Sequence, residues 1–133
     1  MAASSDNVIT QALRVAITQA IRQARIEIKW KPGKAVAHLQ KRIQLRQLSS
    51  DATLAGYEAI IRGLLHDPNG LIYLYFYNDA PYPVIIAEDQ GQLWAVIINL
   101  EGRLDTAFLL LKPEQYIERR GLVYLGRLHE VDL

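Results

Sequence analysis

Cysteine is absent from this chain of 133 residues, and no apolar stretch in it is long. Without cysteine there can be no disulfide, no cysteine-ligated zinc and no thiol nucleophile. No apolar run approaches the roughly 18–20 residues that a membrane-spanning helix needs, and the first residues lack the basic and apolar stretches of a signal peptide. The sequence therefore predicts a protein without a membrane partner, and a reducing cytoplasm is its expected location.

Net charge is also nearly absent, since 15 Lys and Arg residues face 14 Asp and Glu residues and leave +1. A chain with this balance is not attracted to nucleic acid as a whole, so any RNA site must be a local basic cluster. Half of the residues are hydrophobic and 22% are charged, which is typical of a globular protein. We expect a single domain over 1–133, long enough to bury a core.

The chain opens with its longest helical pattern. After a loose tail over 1–5, with Ser5 or Asp6 as the cap, apolar residues recur at i, i+3 and i+4 over 6–28. This pattern predicts a long amphipathic helix whose apolar stripe is rich in Ala and Ile. The stripe can pack on the protein's own sheet, or it can build a homodimer with a second copy, and the sequence leaves both open.

Two further helices are expected after Pro32-Gly33, because proline cannot continue the first helix and glycine turns easily. One covers about 34–47 and is the most basic stretch of the chain, and the next covers about 52–65. His38 and Arg42 are four residues apart in the basic helix, so they lie on the same side of it.

The region over 71–111 is typical of four short strands joined by tight turns. The strand runs are LIYLYFYN, YPVIIA, QLWAVIIN and RLDTAFLLL. The third run is apolar on both faces, as in a central strand that is covered on each side. A short helix to about Arg120 and a last strand over about 122–128 follow. Helices before an antiparallel meander predict an α+β fold, with N-terminal helices packed on a four- to five-stranded antiparallel sheet and the helix pair plus meander over 34–128.

His38 and Arg42 are the residues whose spacing points to chemistry. A histidine titrates near neutral pH and can act as acid or base, and an arginine fork binds phosphate oxygens, so the pair suits a phosphodiester. The alternative is a histidine hydrogen-bonded to the sheet beside an arginine in a surface ion pair. His66 and His129 lie near the ends of elements and are predicted to be ordinary surface residues.

No metal-ligand spacing, nucleophile elbow or phosphate-binding glycine loop is present, so no metal and no cofactor are expected. The first strand carries an alternating row of tyrosines, Tyr73, Tyr75 and Tyr77, which share one face. Such a row can stack bases, line a small-molecule pocket or cover a half-buried sheet.

The order of these motifs resembles the barnase/EndoU/colicin/RelE-like superfamily of small RNases and toxins. In its phage-type members, a His-x-x-x-Arg-His helix precedes an Ile-rich helix ending at a Pro turn, and the last strand reads Ile-Thr-Ala-Tyr. The matching segments are His38-Leu39-Gln40-Lys41-Arg42, then Tyr57-Glu58-Ala59-Ile60-Ile61 to Asp67-Pro68, and Leu104-Asp105-Thr106-Ala107-Phe108. The likeness covers roughly 34–112. Ile43 and Phe108 replace the second His and the Tyr.

The resemblance implies a toxin-like, metal-independent endoribonuclease that uses the RNA 2′-OH as nucleophile, or a degenerate relative that keeps the fold. It makes His38 the general acid or base, Arg42 the group that neutralises the phosphate, and Thr106 a hydrogen-bond donor. RNA and an antitoxin-like protein are then the expected partners. The alternative, from another class, is a non-enzymatic homodimeric interaction module. The candidate RNA-binding residues are Lys41, Tyr75, Tyr77 and Arg103.

Overall fold

An antiparallel sheet is the centre of the computed structural model, which describes residues 9–132. The strands are β1 (Leu71–Tyr77), β2 (Ala80–Asp89), β3 (Gln92–Ile98), β4 (Leu104–Leu109) and β5 (Val123–Arg127). Their order across the sheet is β4-β3-β2-β1-β5, and every neighbouring pair is antiparallel. The first four strands are therefore the predicted meander, and the last strand returns to pair with β1.

Four α-helices accompany the sheet in the described residues. They are α1 (Gln11–Ile26), α2 (Ala35–Gln44), α3 (Leu54–Leu65) and α4 (Pro113–Arg120), and a 3-10 helix follows β5 at Leu128–Asp132. The predicted α+β fold with N-terminal helices on an antiparallel sheet is confirmed, and the sheet has five strands. None of the described helices combines the length and the apolar character that crossing a bilayer demands.

Two-residue turns set the register of the first three strands. Asn78 and Asp79 join β1 to β2 with φ angles of 51° and 64°, and Gln90 and Gly91 join β2 to β3 with 51° and 79°. Positive φ at both central residues is the type I′ turn, whose twist matches that of the flanking strands. The sequence signals for these hairpins were local, and the structure follows them.

The first helix is shorter than the predicted 6–28. It begins at Gln11 because Thr10 is extended and its Oγ1 accepts a hydrogen bond from the Leu13 amide at 3.1 Å. The expected tail over 1–5 and the expected caps Ser5 and Asp6 lie outside the described residues.

The helix ends at Ile26 because the next residues extend along β4 instead. Leu104 N donates to Lys29 O at 2.7 Å, and Lys31 N donates to Leu104 O at 2.8 Å, so Trp30 bridges to Leu104 in parallel. Helical periodicity alone did not reveal this pairing, because its partner is distant in the sequence.

Each face of the sheet has its own apolar layer. The helix layer packs α1 and α3 on one face, and its α1 members are Ile17, Ala20, Ile21 and Ala24. The second layer lies under α4 on the other face and contains Val84, Ile86, Ala95, Ile97, Leu110 and Leu122. The apolar stripe of α1 therefore faces the protein's own sheet. The apolar residues on both faces of β3 predicted a cover on each side, and α4 lies over the second side.

Gly102, in the β3–β4 turn, allows α1 to pack closely against that turn. Its φ is +80°, and a Cβ there would lie 2.8 Å from Ala20 O and 2.9 Å from Gln23 Cβ. Any side chain at this position would therefore combine an unfavourable backbone conformation with a clash against backbone.

Beyond Leu104, the outer edge of β4 has backbone groups that are satisfied by side chains. Tyr57 of α3 donates from its hydroxyl to Ala107 O, and Ala107 N donates back to that hydroxyl at 3.2 Å. Gln47 Oε1 accepts from Leu109 N at 2.9 Å. These bonds occupy backbone groups on the edge that could otherwise pair with a strand of another chain. The bond from Gln47 also attaches the segment after α2 to the sheet.

Tyr57→Phe is expected to lower the free energy of unfolding by about 1–3 kcal/mol, because it leaves both Ala107 backbone groups unsatisfied in the core. Tyr57 is 1% exposed, so water cannot replace the lost hydroxyl. Urea unfolding monitored by circular dichroism measures the change. Tyr124→Phe, at a tyrosine that is 52% exposed, is the matched control. Equal stability of the two variants would contradict the role given to the edge bonds.

Candidate functional site

A cleft of about 520 Å³ opens on the second face of the sheet beside α4. Its walls are aromatic, with Tyr75, Tyr77, Tyr82, Phe108 and Tyr116. Its cations are Lys31, Lys34, Arg42 and Arg120, and Asp105 is the carboxylate among its described lining residues. Aromatic rings and excess positive charge therefore share one concave surface.

The register of the sheet explains why these side chains meet. Tyr75 is the cross-strand partner of Tyr82, and Thr106 is the partner of Ile97. Cross-strand partners project on the same face. A bulge between Ile97 and Ile98 shifts the register of β4. Asp105 lies opposite this bulge and has no cross-strand partner on β3.

His38 meets Thr106 across 68 residues of sequence. The distance from His38 Nδ1 to Thr106 Oγ1 is 3.0 Å, and either tautomer of the ring satisfies this bond. Burial lowers the pKa of His38, and the charges of Lys34 and Arg42 act in the same direction against the opposing charge of Asp105. The imidazole, whose surroundings favour its neutral form, is thus hydrogen-bonded to the hydroxyl of Thr106, which lines the cleft.

Arg42 is a buried cation without a counter-ion in the described residues. Its side chain is 7% exposed, its Nη1 donates to Gln47 Oε1 at 3.0 Å, and its guanidinium lies 5.6 Å from the ring centroid of Phe108. The ion pairs among residues 9–132 do not include it, and its Nε has no hydrogen-bond partner there. Burial lowers its pKa, yet a guanidinium stays charged in proteins. Such a charge is costly to bury unless something binds it.

Lys31 and Lys34 form the cationic rim of the cleft around Asp105. Their Nζ atoms lie 3.4 Å and 3.7 Å from Asp105 Oδ1. Lys31 also donates to Tyr82 Oη at 3.3 Å and lies 5.2 Å from that ring's centroid. The hydrogen bond with Tyr82, with help from Asp105 and partly offset by burial, raises the pKa of Lys31. The rim therefore presents two ammonium groups against one carboxylate.

The predicted site residues divide into two groups. Arg42, Thr106, Tyr75 and Tyr77 line the cleft, and His38 contacts Thr106 but is not among the lining residues. The other two predicted residues, Lys41 and Arg103, are exposed and lie outside the cleft lining.

The remaining singled-out residues lie elsewhere. Tyr73 lines a separate hollow and packs edge-to-face on Tyr124, with ring centroids 5.4 Å apart. His66 and His129 are exposed, and their Nδ1 atoms lie 2.8 Å and 3.3 Å from the carbonyls of Arg62 and Pro68. No group of three or more His, Asp or Glu side chains within 9–132 is arranged to hold a metal ion.

Sequence reasoning missed three of the four cations that line the cleft, Lys31, Lys34 and Arg120. Lys31 and Lys34 flank the Pro-Gly turn, and Arg120 ends α4, so none of them falls in a recognisable motif. The pair of lysines around that turn was the signal that could have indicated a basic loop.

No protein-family model, curated protein or solved structure matches this chain.

We expect stability to fall as the pH drops below about 6.5, the ordinary pKa of histidine, because the folded state binds the His38 proton less readily than the unfolded state. The contribution of His38 to the free energy of unfolding is fully present above that pH. It is lost as the pH falls through the lower pKa that His38 has in the folded state. Urea unfolding between about pH 5 and 8 measures this dependence in the parent and in His38→Gln.

His38→Gln should flatten this pH dependence, because glutamine does not titrate. His66→Gln is the control, since it removes a histidine that makes no contact with Thr106. An unchanged pH dependence in His38→Gln would show that another group is responsible.

Arg42→Met is expected to leave the free energy of unfolding unchanged or higher, because it replaces an unpaired buried charge with an apolar chain of similar length. Gln47 Oε1 keeps its bond from Leu109 N in this variant. Urea unfolding at neutral pH tests this. A loss of more than about 3 kcal/mol would show that the guanidinium is structural.

Proposed function

We propose that this protein is a metal-independent endoribonuclease of the small toxin type, and that the cleft binds single-stranded RNA. The observation that carries the proposal is Arg42, a buried cation that lines the cleft close to the His38–Thr106 contact and whose Nε has no hydrogen-bond partner in the described residues. Nothing among residues 9–132 neutralises this charge, and an anion bound in the cleft would.

A phosphodiester fits the anion that the cleft requires. Its oxygens accept from a guanidinium fork, and the ammonium groups of Lys31 and Lys34 add charge without geometric demand. Tyr75 and Tyr77, with ring centroids 6.2 Å apart, offer faces on which bases stack. RNA therefore satisfies both the cations and the rings, whereas inorganic phosphate would satisfy the cations alone.

The chemistry follows from a neutral histidine and a nearby cation. The RNA 2′-oxygen attacks phosphorus, and the bond from phosphorus to the 5′-oxygen breaks, which leaves a 2′,3′-cyclic phosphate and a 5′-hydroxyl. His38 accepts the proton of the 2′-OH, through the hydroxyl of Thr106 or directly, and returns it to the leaving oxygen. Arg42 stabilises the negative charge that develops on the phosphate oxygens.

A degenerate relative that binds RNA without cleaving it is the second candidate. Ile43 and Phe108 favour it, because both positions carry polar groups in the family that the chain resembles. The homodimeric module has less support, since the stripe of α1 packs into the protein's own core, with Val15 and Ile26 as the large apolar residues that α1 exposes. An antitoxin-like inhibitor, if the family resemblance extends to one, would cover the basic cleft with acidic side chains.

The first test is incubation of the purified protein with total RNA in EDTA. The parent should produce fragments with 2′,3′-cyclic phosphate ends, and His38→Ala should cleave about 10²- to 10⁴-fold more slowly, the usual contribution of a general acid or base. His129→Ala is the matched control and should cleave like the parent. Circular dichroism shows whether each variant is folded.

Each outcome decides between the candidates. Equal cleavage by the parent and His38→Ala would overturn the role of His38. No cleavage, but binding of an uncleavable 2′-O-methyl oligonucleotide that Arg42→Met abolishes, would identify the degenerate relative. Absence of both cleavage and binding would overturn the proposed function.

A further inference from the structure

A second hollow of about 370 Å³ adjoins the cleft on the far side of a pair of aromatic rings. Phe108 and Tyr116 form this pair, with ring centroids 5.4 Å apart and planes at 66°. Both residues line the cleft and the second hollow. The rings are therefore a ridge between two adjoining hollows.

The second hollow is cationic. Lys112, Arg119 and Arg120 line it, and none of its lining residues in the described chain is a carboxylate. Leu111, which is 80% exposed, adds an apolar surface next to Lys112. Three cations therefore surround one small hollow in a protein whose net charge is only +1.

Arg120 connects the two surfaces. It lines both, and its guanidinium lies 5.6 Å from the ring centroid of Tyr116 and 6.0 Å from that of Tyr75. Its Nη1 is 3.4 Å from Tyr75 Oη. A phosphate passing over the ridge would meet this guanidinium between aromatic faces, where cation and ring both interact with a nucleotide.

We infer that the cleft and the second hollow form one track for a single strand of several nucleotides, with successive nucleotides on either side of the Phe108–Tyr116 ridge. This inference rests on the proposed function and narrows its substrate from nucleotides in general to an oligonucleotide. A mononucleotide in the cleft would leave Lys112 and Arg119 without an anionic partner. A continuing strand brings a phosphate to them.

The test measures binding of two uncleavable 2′-O-methyl RNAs, a dinucleotide and a pentanucleotide, to the full chain by fluorescence anisotropy. The parent should bind the pentanucleotide about tenfold more tightly at low salt. The double variant Lys112→Gln/Arg119→Gln should lose this advantage and keep the parent's affinity for the dinucleotide. Its logarithmic salt slope for the pentanucleotide should be smaller by about 1.4, since each single-strand phosphate contact contributes about 0.7.

The matched control is Arg14→Gln/Arg62→Gln, which removes the same charge from exposed positions on α1 and α3, the helices of the opposite face. It should bind both RNAs like the parent, which excludes a general effect of net charge.

The outcomes separate this inference from the proposed function. Dinucleotide binding without a pentanucleotide advantage, or an advantage that survives in Lys112→Gln/Arg119→Gln, would overturn the extended track and leave the cleft as the site. Failure of the parent to bind either RNA would overturn the extended track, and together with the absence of cleavage in EDTA it would overturn the proposed function as well.

Discussion

The hydrogen bonds that close the outer edge of β4 are the constraint on which the site depends. The hydroxyl of Tyr57 holds both backbone groups of Ala107, and Gln47 Oε1 accepts from Leu109 N. The same amide oxygen accepts from Arg42 Nη1, so one side chain joins the edge strand to the buried guanidinium. Because these bonds attach α3 and the segment after α2 to the edge, His38 of α2 lies within hydrogen-bond distance of Thr106, and Arg42 of the same helix lines the cleft.

The burial of Arg42 is unfavourable for the stability of the fold. A buried cation with a neutral hydrogen-bond acceptor and an aromatic ring as its neighbours is a poor way to stabilise a core. It is a good way to hold a preorganised positive charge, since no carboxylate among residues 9–132 pairs with this guanidinium. Local arrangements that violate the rules of packing are expected at functional sites, and this is where the chain carries one.

The distribution of charge, and not its sum, makes the cleft basic. With a net charge of +1, long-range steering toward nucleic acid is weak. The cations instead converge on one face of the sheet, where α4 and the segment before α2 bring them beside the tyrosines of β1 and β2. Asp105 offsets part of this positive charge by pairing with Lys31 and Lys34. An anionic ligand must therefore compete with this carboxylate for the lysines at the rim.

Local patterns in the sequence determined the helices, the four strands of the meander, the Asn78-Asp79 and Gln90-Gly91 turns and the shared side of His38 and Arg42, because periodicity and turn chemistry act over a few residues. Tertiary structure decided which side chains form the cleft. It brought Lys31 and Arg120 to the tyrosines and His38 to Thr106, and it left Lys41 and Arg103 outside the lining, although their charge made them candidates. These placements depend on the strand register, on the bulge beside Asp105 and on the pairing of the chain around Trp30 with β4. Each joins residues that are far apart in the chain, where local sequence carries no signal.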